Sequence, residues 1–557
     1  MRHRIWRAVL VGAVFVSAVI AVAAPSYWRG ENSPLGVKLF SFSMPLQIDD
    51  LSKPGGRLFR ARSKDGRFAC SAHFVYAVSS RLTTNSNQLE FFCRETDRAP
   101  DVRFERVGGI DNKNVSKNNI AYFDGRLIDI TNSVTILNDG ELIPFSDSKE
   151  FKNGRIYYIS RMRSGEYLLF QTDYKRDGER CSDLSIVDDE NKYYGSVKIS
   201  SYVSYFNGRA LFDFEGDLFA TDELRPLAKC ASLGVTKIRG GIGWPYGGIR
   251  TDKGFLLGGS GIPANLYEVS PDLSTRTIPI DAQATFVSEV YSYIPLNGRV
   301  LIGTYPAGYP FSVSAGVKAT AVKEDFFPLG KSRWTNPRDG APYRELQSMA
   351  SSYGILWGGM YPWGEVIAND RLSRTTNRYR LFSHPVHSPS LRVPYASEVA
   401  REVSDFWAGS FDTIPSFAEA RRKYSESDEL PRELGLFGDA WGQRIQQIVI
   451  RNGGLCASTG SMGDTPYEPT VHTHLTPEQY GEYGTVWCAD LAGQVLADIQ
   501  APGSYSVEFS VFENGVSIKI GAETTQNITP INRDIEAAFS SQLPKIESAV
   551  PVTFTGG

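Results

Sequence analysis

The chain repeats one short pattern, a turn that ends in glycine followed by an apolar strand. Asp65-Gly66-Arg67-Phe68, Asn207-Gly208-Arg209-Ala210 and Asn297-Gly298-Arg299-Val300 are three examples. Asn-Gly and Asp-Gly supply the positive φ that tight hairpin turns require, so each phrase predicts a turn that opens a buried strand. The glycines of the eight phrases are Gly66, Gly125, Gly165, Gly208, Gly254, Gly298, Gly354 and Gly454.

Most of these glycines are roughly 40 to 60 residues apart, the size of one four-stranded propeller blade. We therefore predict an all-β fold, a β-propeller whose blades occupy residues 45–395. Seven blades are favoured and eight are the alternative. We expect the N- and C-terminal strands to share a closing blade, because closure removes the exposed sheet edge. Tandem β-sandwiches would show similar turn spacing and are the rival fold.

Three central segments share one plan: Phe255-Leu-Leu-Gly-Gly-Ser, Val300-Leu-Ile-Gly-Thr-Tyr-Pro and Ile355-Leu-Trp-Gly-Gly-Met-Tyr-Pro. This plan resembles the strand, Gly-Thr, turn, strand rhythm of bacterial β-propeller repeat proteins. It has neither a Trp-Asp blade ending nor the Kelch double-glycine spacing, so no named family follows from it. The resemblance implies blades over residues 45–395 and, more weakly, as far as residue 520.

The interval before Gly454 is longer than the others, and residues 396–447 change character. Residues 397–407 and 414–424 place apolar side chains at helical spacing among charged ones. We predict a small helical insertion at 396–447, followed by final blade strands and a C-terminal tail at 448–557. Within that last part, alternating strands flank Glu513-Asn514-Gly515, which predicts a hairpin.

The first residues predict export. Arg2, Arg4 and Arg7 precede an apolar run over residues 8–24, and Ala21-Val22-Ala23 matches a small-x-small cleavage site. The positive flank stays in the cytoplasm while the apolar run enters the translocon. Residues 1–24 are therefore expected to be a signal peptide, with an uncleaved membrane anchor as the alternative, and residues 25–44 a linker. The protein is expected to be periplasmic, cell-surface or secreted.

Charge and cysteine content agree with an exported protein. The formal net charge is −3, and loss of the three leader arginines makes it more negative, so nucleic-acid binding is disfavoured. An oxidising compartment permits disulfides, and none of the six cysteines forms a C-x-x-C pair. Sequential pairing is favoured because each loop then closes within about one repeat. The predicted pairs are Cys70 with Cys93, Cys181 with Cys230, and Cys456 with Cys488.

Residues suited to catalysis are few. The chain has 6 histidines and no G-x-S-x-G nucleophile motif. His472 and His474 are two apart, so a strand would place both imidazoles on one face, where they could bind a divalent metal. No other cofactor is predicted. Paired carboxylates would suit a polysaccharide-acting enzyme, and Glu268, Glu289 and Glu365 are candidates.

Aromatic residues near glycine and proline corners suggest a ligand-binding rim. Aromatic faces with polar edges suit sugar rings and protein interfaces. The predicted rim residues are Trp244, Tyr246, Tyr361 and Trp363, with Arg250 and Glu365 as polar partners. The sequence thus predicts a binding or scaffold propeller for a glycan or an envelope protein. A glycoside hydrolase or lyase is the alternative.

Overall fold

A computed structural model describes residues 38–109, 120–144, 155–321, 345–384, 443–460, 469, 475–529 and 545–549, with short gaps inside several of these ranges. Residues 1–24 and 396–442 lie outside them. Within the described ranges, no helix has the length and apolar character needed to cross a membrane.

Seven strands precede the first complete blade. Their bounds are β1 (Lys38–Ile48), β2 (Arg57–Arg62), β3 (Phe68–Phe74), β4 (Tyr76–Ser79), β5 (Leu82–Thr84), β6 (Gln88–Glu95) and β7 (Glu105–Gly109).

Blades one to three follow in chain order. Blade one consists of β8 (Ile120–Phe123), β9 (Arg126–Asp129), β10 (Thr135–Asn138) and β11 (Glu141–Pro144). Blade two and the two-stranded ribbon inserted in it comprise β12 (Arg155–Arg161), β13 (Tyr167–Thr172), the ribbon strands β14 (Lys175–Arg176) and β15 (Glu179–Arg180), β16 (Leu184–Asp188) and β17 (Tyr193–Val197). Blade three consists of β18 (Val203–Phe206), β19 (Arg209–Phe214), β20 (Asp217–Thr221) and β21 (Val235–Arg239).

Blades four to six repeat the same up-and-down order. Blade four consists of β22 (Gly248–Arg250), β23 (Phe255–Gly258), β24 (Asn265–Val269) and β25 (Thr275–Pro279). Blade five consists of β26 (Glu289–Leu296), β27 (Arg299–Tyr305), β28 (Pro310–Ser314) and β29 (Lys318–Ala321). Blade six consists of β30 (Glu345–Ser352), β31 (Ile355–Tyr361), β32 (Glu365–Asp370) and β33 (Thr375–Arg380).

Blade seven combines two distant parts of the chain. Its first three strands are β34 (Arg444–Arg451), β35 (Gly454–Gly460) and β36 (Thr485–Asp490), and its outer strand is β7. Between β35 and β36 lie α1 (Pro477–Gly481) and a 3₁₀ turn, Glu482–Gly484. The closing blade is therefore shared by an early strand and three late strands, although the predicted N-terminal strand, β1, lies in another sheet.

The seven sheets form a closed ring. The first strands of adjacent blades contact one another, as in β26 with β30 and β30 with β34. Buried apolar clusters join blades one to three, three to four, four to six and six to seven. A further cluster joins Ile120 and Leu127 of blade one to Val449 and Val486 of blade seven. The first strand of each blade is therefore the inner one, beside the central channel, and the predicted β-propeller is confirmed.

Seven of the eight predicted turn phrases mark the step from an inner strand to the second strand of a blade, while the phrase at Gly66 lies between β2 and β3. Asn207 and Gly208 have φ of 48° and 78° between β18 and β19, and Tyr353 and Gly354 have 59° and 72° between β30 and β31. Glycine occupies the second turn position in both hairpins because it adopts positive φ without steric cost.

A β-sandwich accompanies the propeller. One sheet has the order β1-β38-β39-β40, and the other has the order β37-β6-β3-β2-β41. The late strands are β37 (Gln494–Asp498), β38 (Gly503–Phe512), β39 (Gly515–Ile520), β40 (Glu523–Thr529) and β41 (Lys545–Ala549). The two sheets share one apolar core, where the Phe91 and Phe509 rings are 5.2 Å apart. The predicted hairpin at Glu513-Asn514-Gly515 joins β38 to β39.

The structure moves several predicted boundaries. Residues 38–44 belong to β1 rather than to a linker, and β1, β2, β3 and β6 belong to the sandwich rather than to a blade. The segment after residue 448 supplies only part of blade seven, because β37 to β41 also join the sandwich. Residues 444–447 begin β34 and are not helical. Sandwich and blade strands alternate in the same way, so only the pairing of distant segments separates them.

Candidate functional site

Four inner strands carry a β-bulge at the same place. In β26, Val290 pairs with Thr304 and Ser292 pairs with Gly303, so Tyr291 is the extra residue. The corresponding extra residues are Tyr157 in β12, Gln347 in β30 and Gln446 in β34. A bulge re-aims a side chain and locally interrupts the ladder. The four bulges therefore place two tyrosines and two glutamines at one level of the channel.

A charged residue precedes each bulge by two positions. These residues are Arg155, Glu289, Glu345 and Arg444, each the first residue of its strand. Because the inner strands all enter the ring from the same end, these charged residues mark one end of the channel. We call this end the mouth.

Glycine on the second strand makes room for the chain beside the bulge. A Cβ on Gly303 would lie 2.2 Å from Ser292 Oγ, and one on Gly359 would lie 2.3 Å from Ser348 Oγ. Ser292 Oγ donates to the carbonyl of Leu346 in the next blade at 2.8 Å. Likewise, Ser348 Oγ of blade six lies 3.5 Å from the carbonyl of Ile445 in blade seven. The glycines of the shared central plan thus let one blade hydrogen-bond to the next.

Three tyrosines and a carboxylate meet between blades four and five. The Tyr246 and Tyr291 rings are 4.9 Å apart, and the Tyr291 and Tyr305 rings are 6.5 Å apart in an edge-to-face arrangement. The Tyr291 hydroxyl donates to Glu289, whose other oxygen lies 3.5 Å from the Tyr246 hydroxyl. Burial, followed by the negative charges of Glu345 and Glu289, raises the pKa of Tyr291 well above its usual value. Tyr291 therefore stays protonated and acts as a hydrogen-bond donor.

An ion pair joins blades six and seven at the same level. Arg444 Nη2 lies 3.1 Å and 2.9 Å from the two carboxylate oxygens of Glu345. The guanidinium also covers the Tyr361 ring, 5.2 Å from its centroid. Burial disfavours the charged guanidinium, but the charge of Glu345 and the neighbouring tyrosines outweigh it and raise the pKa of Arg444. Arg444 remains a cation.

Buried polar atoms on β34 lack a hydrogen-bond partner among the described residues. Arg444 Nε and Gln446 Oε1 are buried and have no hydrogen-bond partner within the part of the chain that the structure describes. Arg444 and Gln446 are two positions apart on the strand. Buried polar groups in folded proteins are normally paired, so these two atoms indicate a place where a polar ligand or ordered water completes the site.

The structure brings only part of the predicted rim together. Trp244 is 57% exposed and Tyr246 is half-buried at the mouth. Tyr361 is buried, which corrects the prediction that it belongs to an exposed rim, and the predicted polar partners Arg250 and Glu365 are buried as well. The physical reason is that Tyr361 and Glu365 end and begin central strands of blade six, while the Arg250 guanidinium packs over Phe206. Trp363 lies outside the described residues.

Sequence inspection missed Tyr291, Glu345, Arg444 and Gln446. A usable signal was present, because four phrases share a charged residue, an aliphatic residue and then tyrosine or glutamine. They are Arg155-Ile-Tyr-Tyr, Glu289-Val-Tyr-Ser, Glu345-Leu-Gln-Ser and Arg444-Ile-Gln-Gln.

The predicted metal ligands His472 and His474 lie outside the described residues. Among the residues that are described, no group of three or more His, Cys, Asp and Glu side chains could hold a metal ion. His384 pairs with Glu482 instead, with Nδ1 2.9 Å from Oε2.

All three predicted disulfides are present: Cys70–Cys93, Cys181–Cys230 and Cys456–Cys488. They fit an oxidising, extracytoplasmic compartment.

No protein-family model and no curated protein match this chain. Among solved structures it is similar to the N-terminal domain of Nup159, at 10% identity and a TM-score of 0.34, over 72% of this chain and 97% of that one. It is also similar to YCF48 bound to D1 peptide, at 9% identity and a TM-score of 0.27, over 61% and 96%. A third is the extracellular domain of a putative hybrid two-component system from B. thetaiotaomicron, at 9% identity and a TM-score of 0.32, over 82% and 61%.

Proposed function

We propose that the protein is an exported binding module whose propeller mouth takes a hydroxyl-rich ligand, a glycan of the cell envelope or its surroundings. The observation that carries the proposal is the group at the mouth of blades four to seven: Tyr246, Glu289, Tyr291, Tyr305, Glu345, Tyr361, Arg444 and Gln446. We call these residues the mouth cluster.

The chemistry of the mouth cluster suits a sugar. The half-buried Tyr246 ring and the exposed Trp244 ring offer apolar faces to the C–H surfaces of a pyranose, while carboxylates, a guanidinium and an amide exchange hydrogen bonds with its hydroxyls. The Glu345–Arg444 pair cancels its own charge, so the cluster favours a polar ligand over a strongly charged one. Exposed Trp244, two residues before Tyr246, supplies an apolar surface beside the mouth.

Export is part of the proposal. The N-terminal arginines and apolar run predict a leader or an anchor, and three disulfides require an oxidising compartment to form and persist. The final location, periplasmic, cell-surface or secreted, is tested by fractionating cells that express the full chain.

Binding is tested on a glycan array and then by calorimetry with the saccharides that bind on the array. Tyr291→Ala and Trp244→Ala are expected to weaken binding about fivefold or more, because each removes an aromatic contact or hydrogen bond worth about 1 kcal/mol or more. Tyr505→Phe in the sandwich is the matched control, since Tyr505 is remote from the mouth and its hydroxyl donates to Ala501. Unchanged binding in the two mouth variants, or a blank array with the unmodified protein, would contradict the proposal.

A second candidate, a polysaccharide-acting enzyme, has one specific observation in its favour. Glu289 and Glu345 open the adjacent inner strands β26 and β30, and the Tyr291 hydroxyl donates to Glu289, so two carboxylates lie at the mouth. Glycoside hydrolysis uses such a pair. Incubation with the polysaccharides that bind, followed by reducing-end detection, separates the candidates. Product that Glu289→Gln abolishes while binding persists would favour the enzyme, and no product with the unmodified protein would exclude it for those substrates.

A further inference from the structure

The hairpin formed by β4 and β5 enters the channel of the propeller. It extends the sandwich hairpin β3–β6, and β4 pairs with the inner strand β30 of blade six. The six-stranded sheet therefore has the order β33-β32-β31-β30-β4-β5. Strands β4 and β5 extend the sheet of blade six into the channel, beyond its inner strand β30. We call the β4–β5 hairpin the plug.

The plug reaches the middle of the ring. Strand β4 also contacts β26 and β34 of the two adjacent blades, and β5 contacts β12 of blade two. Tyr76 on β4 is buried, and its hydroxyl bonds to the backbone of Arg250 in blade four. Tyr158 of blade two and Tyr202, the residue before blade three, both lie near enough to Tyr76 to interact with it electrostatically. Residues of blades two, three and four therefore surround the Tyr76 side chain, whose own strand pairs with blade six.

The register places the plug directly below the bulges. Ser79 pairs with Ser348, and Tyr76 pairs with Ser351. Ser348 is the residue after the bulged Gln347. Strand β30 begins at the mouth with Glu345, so the described part of the plug lies along the channel from the level of Ser348 towards the far end.

The far end of the channel also meets the sandwich. Glu90 of β6 accepts hydrogen bonds from the Tyr353 amide at 3.0 Å and from Gln494 at 2.7 Å, and Arg94 bonds to Asp370 of blade six. Tyr353 lies in the turn after β30, at the end opposite the mouth. A chain-like ligand has no through path along this side of the ring.

We propose that the mouth is a one-ended pocket that recognises the terminal unit of a saccharide chain and excludes internal segments. This inference rests on the proposed glycan function. An internal unit continues in two directions and needs a groove or an open channel, whereas a terminal unit needs one opening. A terminal unit also carries a free hydroxyl where an internal unit carries a glycosidic link. Arg444 Nε and Gln446 Oε1, both buried and without a hydrogen-bond partner among the described residues, are the groups that would pair with such a hydroxyl.

The test uses cello-, malto- and chito-oligosaccharides of two to eight units and the corresponding polymers, titrated by calorimetry into the full-length protein. Terminal recognition predicts one protein molecule bound per chain at every length. It also predicts at least about tenfold weaker binding when the recognised end is blocked as a methyl ether or methyl glycoside, because a hydrogen bond is lost. Protein bound per chain that rises with chain length would overturn the inference and leave the glycan function standing. No binding by any saccharide would overturn the glycan function itself and this inference with it.

A second variant tests the role of the plug. Replacing residues 76–87 by Asn-Gly keeps the β3–β6 hairpin and its Cys70–Cys93 disulfide while removing β4 and β5. We expect this variant to bind long chains with more than one protein per chain. Strict end binding by the folded variant would show that the plug does not set the preference. If the variant does not fold, the length series on the unmodified protein decides the inference by itself.

Discussion

Arg444 of blade seven lies against Glu345 of blade six, with Nη2 3.1 Å and 2.9 Å from the two carboxylate oxygens. Both residues open inner strands two positions before a bulge. The pair therefore joins two blades at the level where the channel meets its surroundings. It holds Arg444 in place while Nε of the same side chain keeps no protein partner among the described residues.

Removing one partner of this pair is expected to lower the free energy of unfolding more than removing both. Arg444→Met leaves the Glu345 carboxylate buried without its cation, so the free energy of unfolding should fall by about 3–5 kcal/mol. The double variant Glu345→Leu with Arg444→Met removes both charges and should be close to the unmodified protein in stability. Urea unfolding of the three proteins measures the difference. Lys237→Met, in the solvent-exposed pair with Asp217, is the control and should change stability little. Equal losses in the single and double variants would contradict the prediction.

Gln446 and Gln447 are adjacent, yet we expect opposite effects from the same substitution. Gln446 Oε1 is buried and has no hydrogen-bond partner among the described residues, so Gln446→Leu should leave stability unchanged or raise it, while weakening ligand binding at the mouth. Gln447 Oε1 accepts the Ile120 amide at 2.9 Å across the closing contact between blades seven and one. Gln447→Leu should therefore cost about 1–3 kcal/mol, the penalty of an unpaired buried amide. Thermal unfolding and calorimetric binding are the measurements, and a stability loss in Gln446→Leu would count against an unfilled polar site.

Gly303 should not tolerate even a methyl group. A Cβ there would lie 2.2 Å from Ser292 Oγ and 2.4 Å from the Leu346 carbonyl, which share the hydrogen bond between blades five and six. Gly303→Ala should destabilise the protein by about 1–3 kcal/mol through overpacking. Gly481 in α1 is the matched control, because a Cβ there meets nothing within 4 Å and alanine favours a helix. A Gly303→Ala variant as stable as Gly481→Ala would contradict this account of the bulge.

Glu90 should make the contact between sandwich and propeller sensitive to acid. Burial opposes its ionisation, but the His73 ion pair and the hydrogen bonds from Ser352 and the Tyr353 amide outweigh burial, so the pKa of Glu90 is lowered. A carboxyl whose pKa is depressed by folding contributes stability above its unfolded pKa, which is about 4.3. That contribution is lost as the pH falls through the lower folded value.

The measurement is unfolding between about pH 3 and pH 6 for the unmodified protein and for Glu90→Gln. The difference in stability between them should be largest near pH 6 and shrink as the pH falls below about 4.3. A constant difference across the whole range would show that Glu90 does not carry the charge that holds this contact.

The sequence by itself predicted the all-β class, the turns, a propeller with seven blades favoured over eight, and the favoured pairing of the six cysteines. Those features depend on local chemistry: glycine at positive φ, alternation along a strand, and cysteines close along the chain. The aromatic corners were also visible locally, and Tyr246 and Trp244 do lie at the mouth. Tyr361 was expected on an exposed rim but is buried, because burial depends on which residues of a neighbouring blade pack over a corner.

Only the tertiary structure decided the sandwich, the plug and the mouth cluster. Strand β1 pairs with β38, and β4 pairs with β30, across hundreds of residues of chain. No periodicity along the sequence records such a pairing, since blade and sandwich strands alternate alike. The bulges were predictable only in part. Their four phrases are written in the sequence, but the extra residue is defined only against the register of the partner strand.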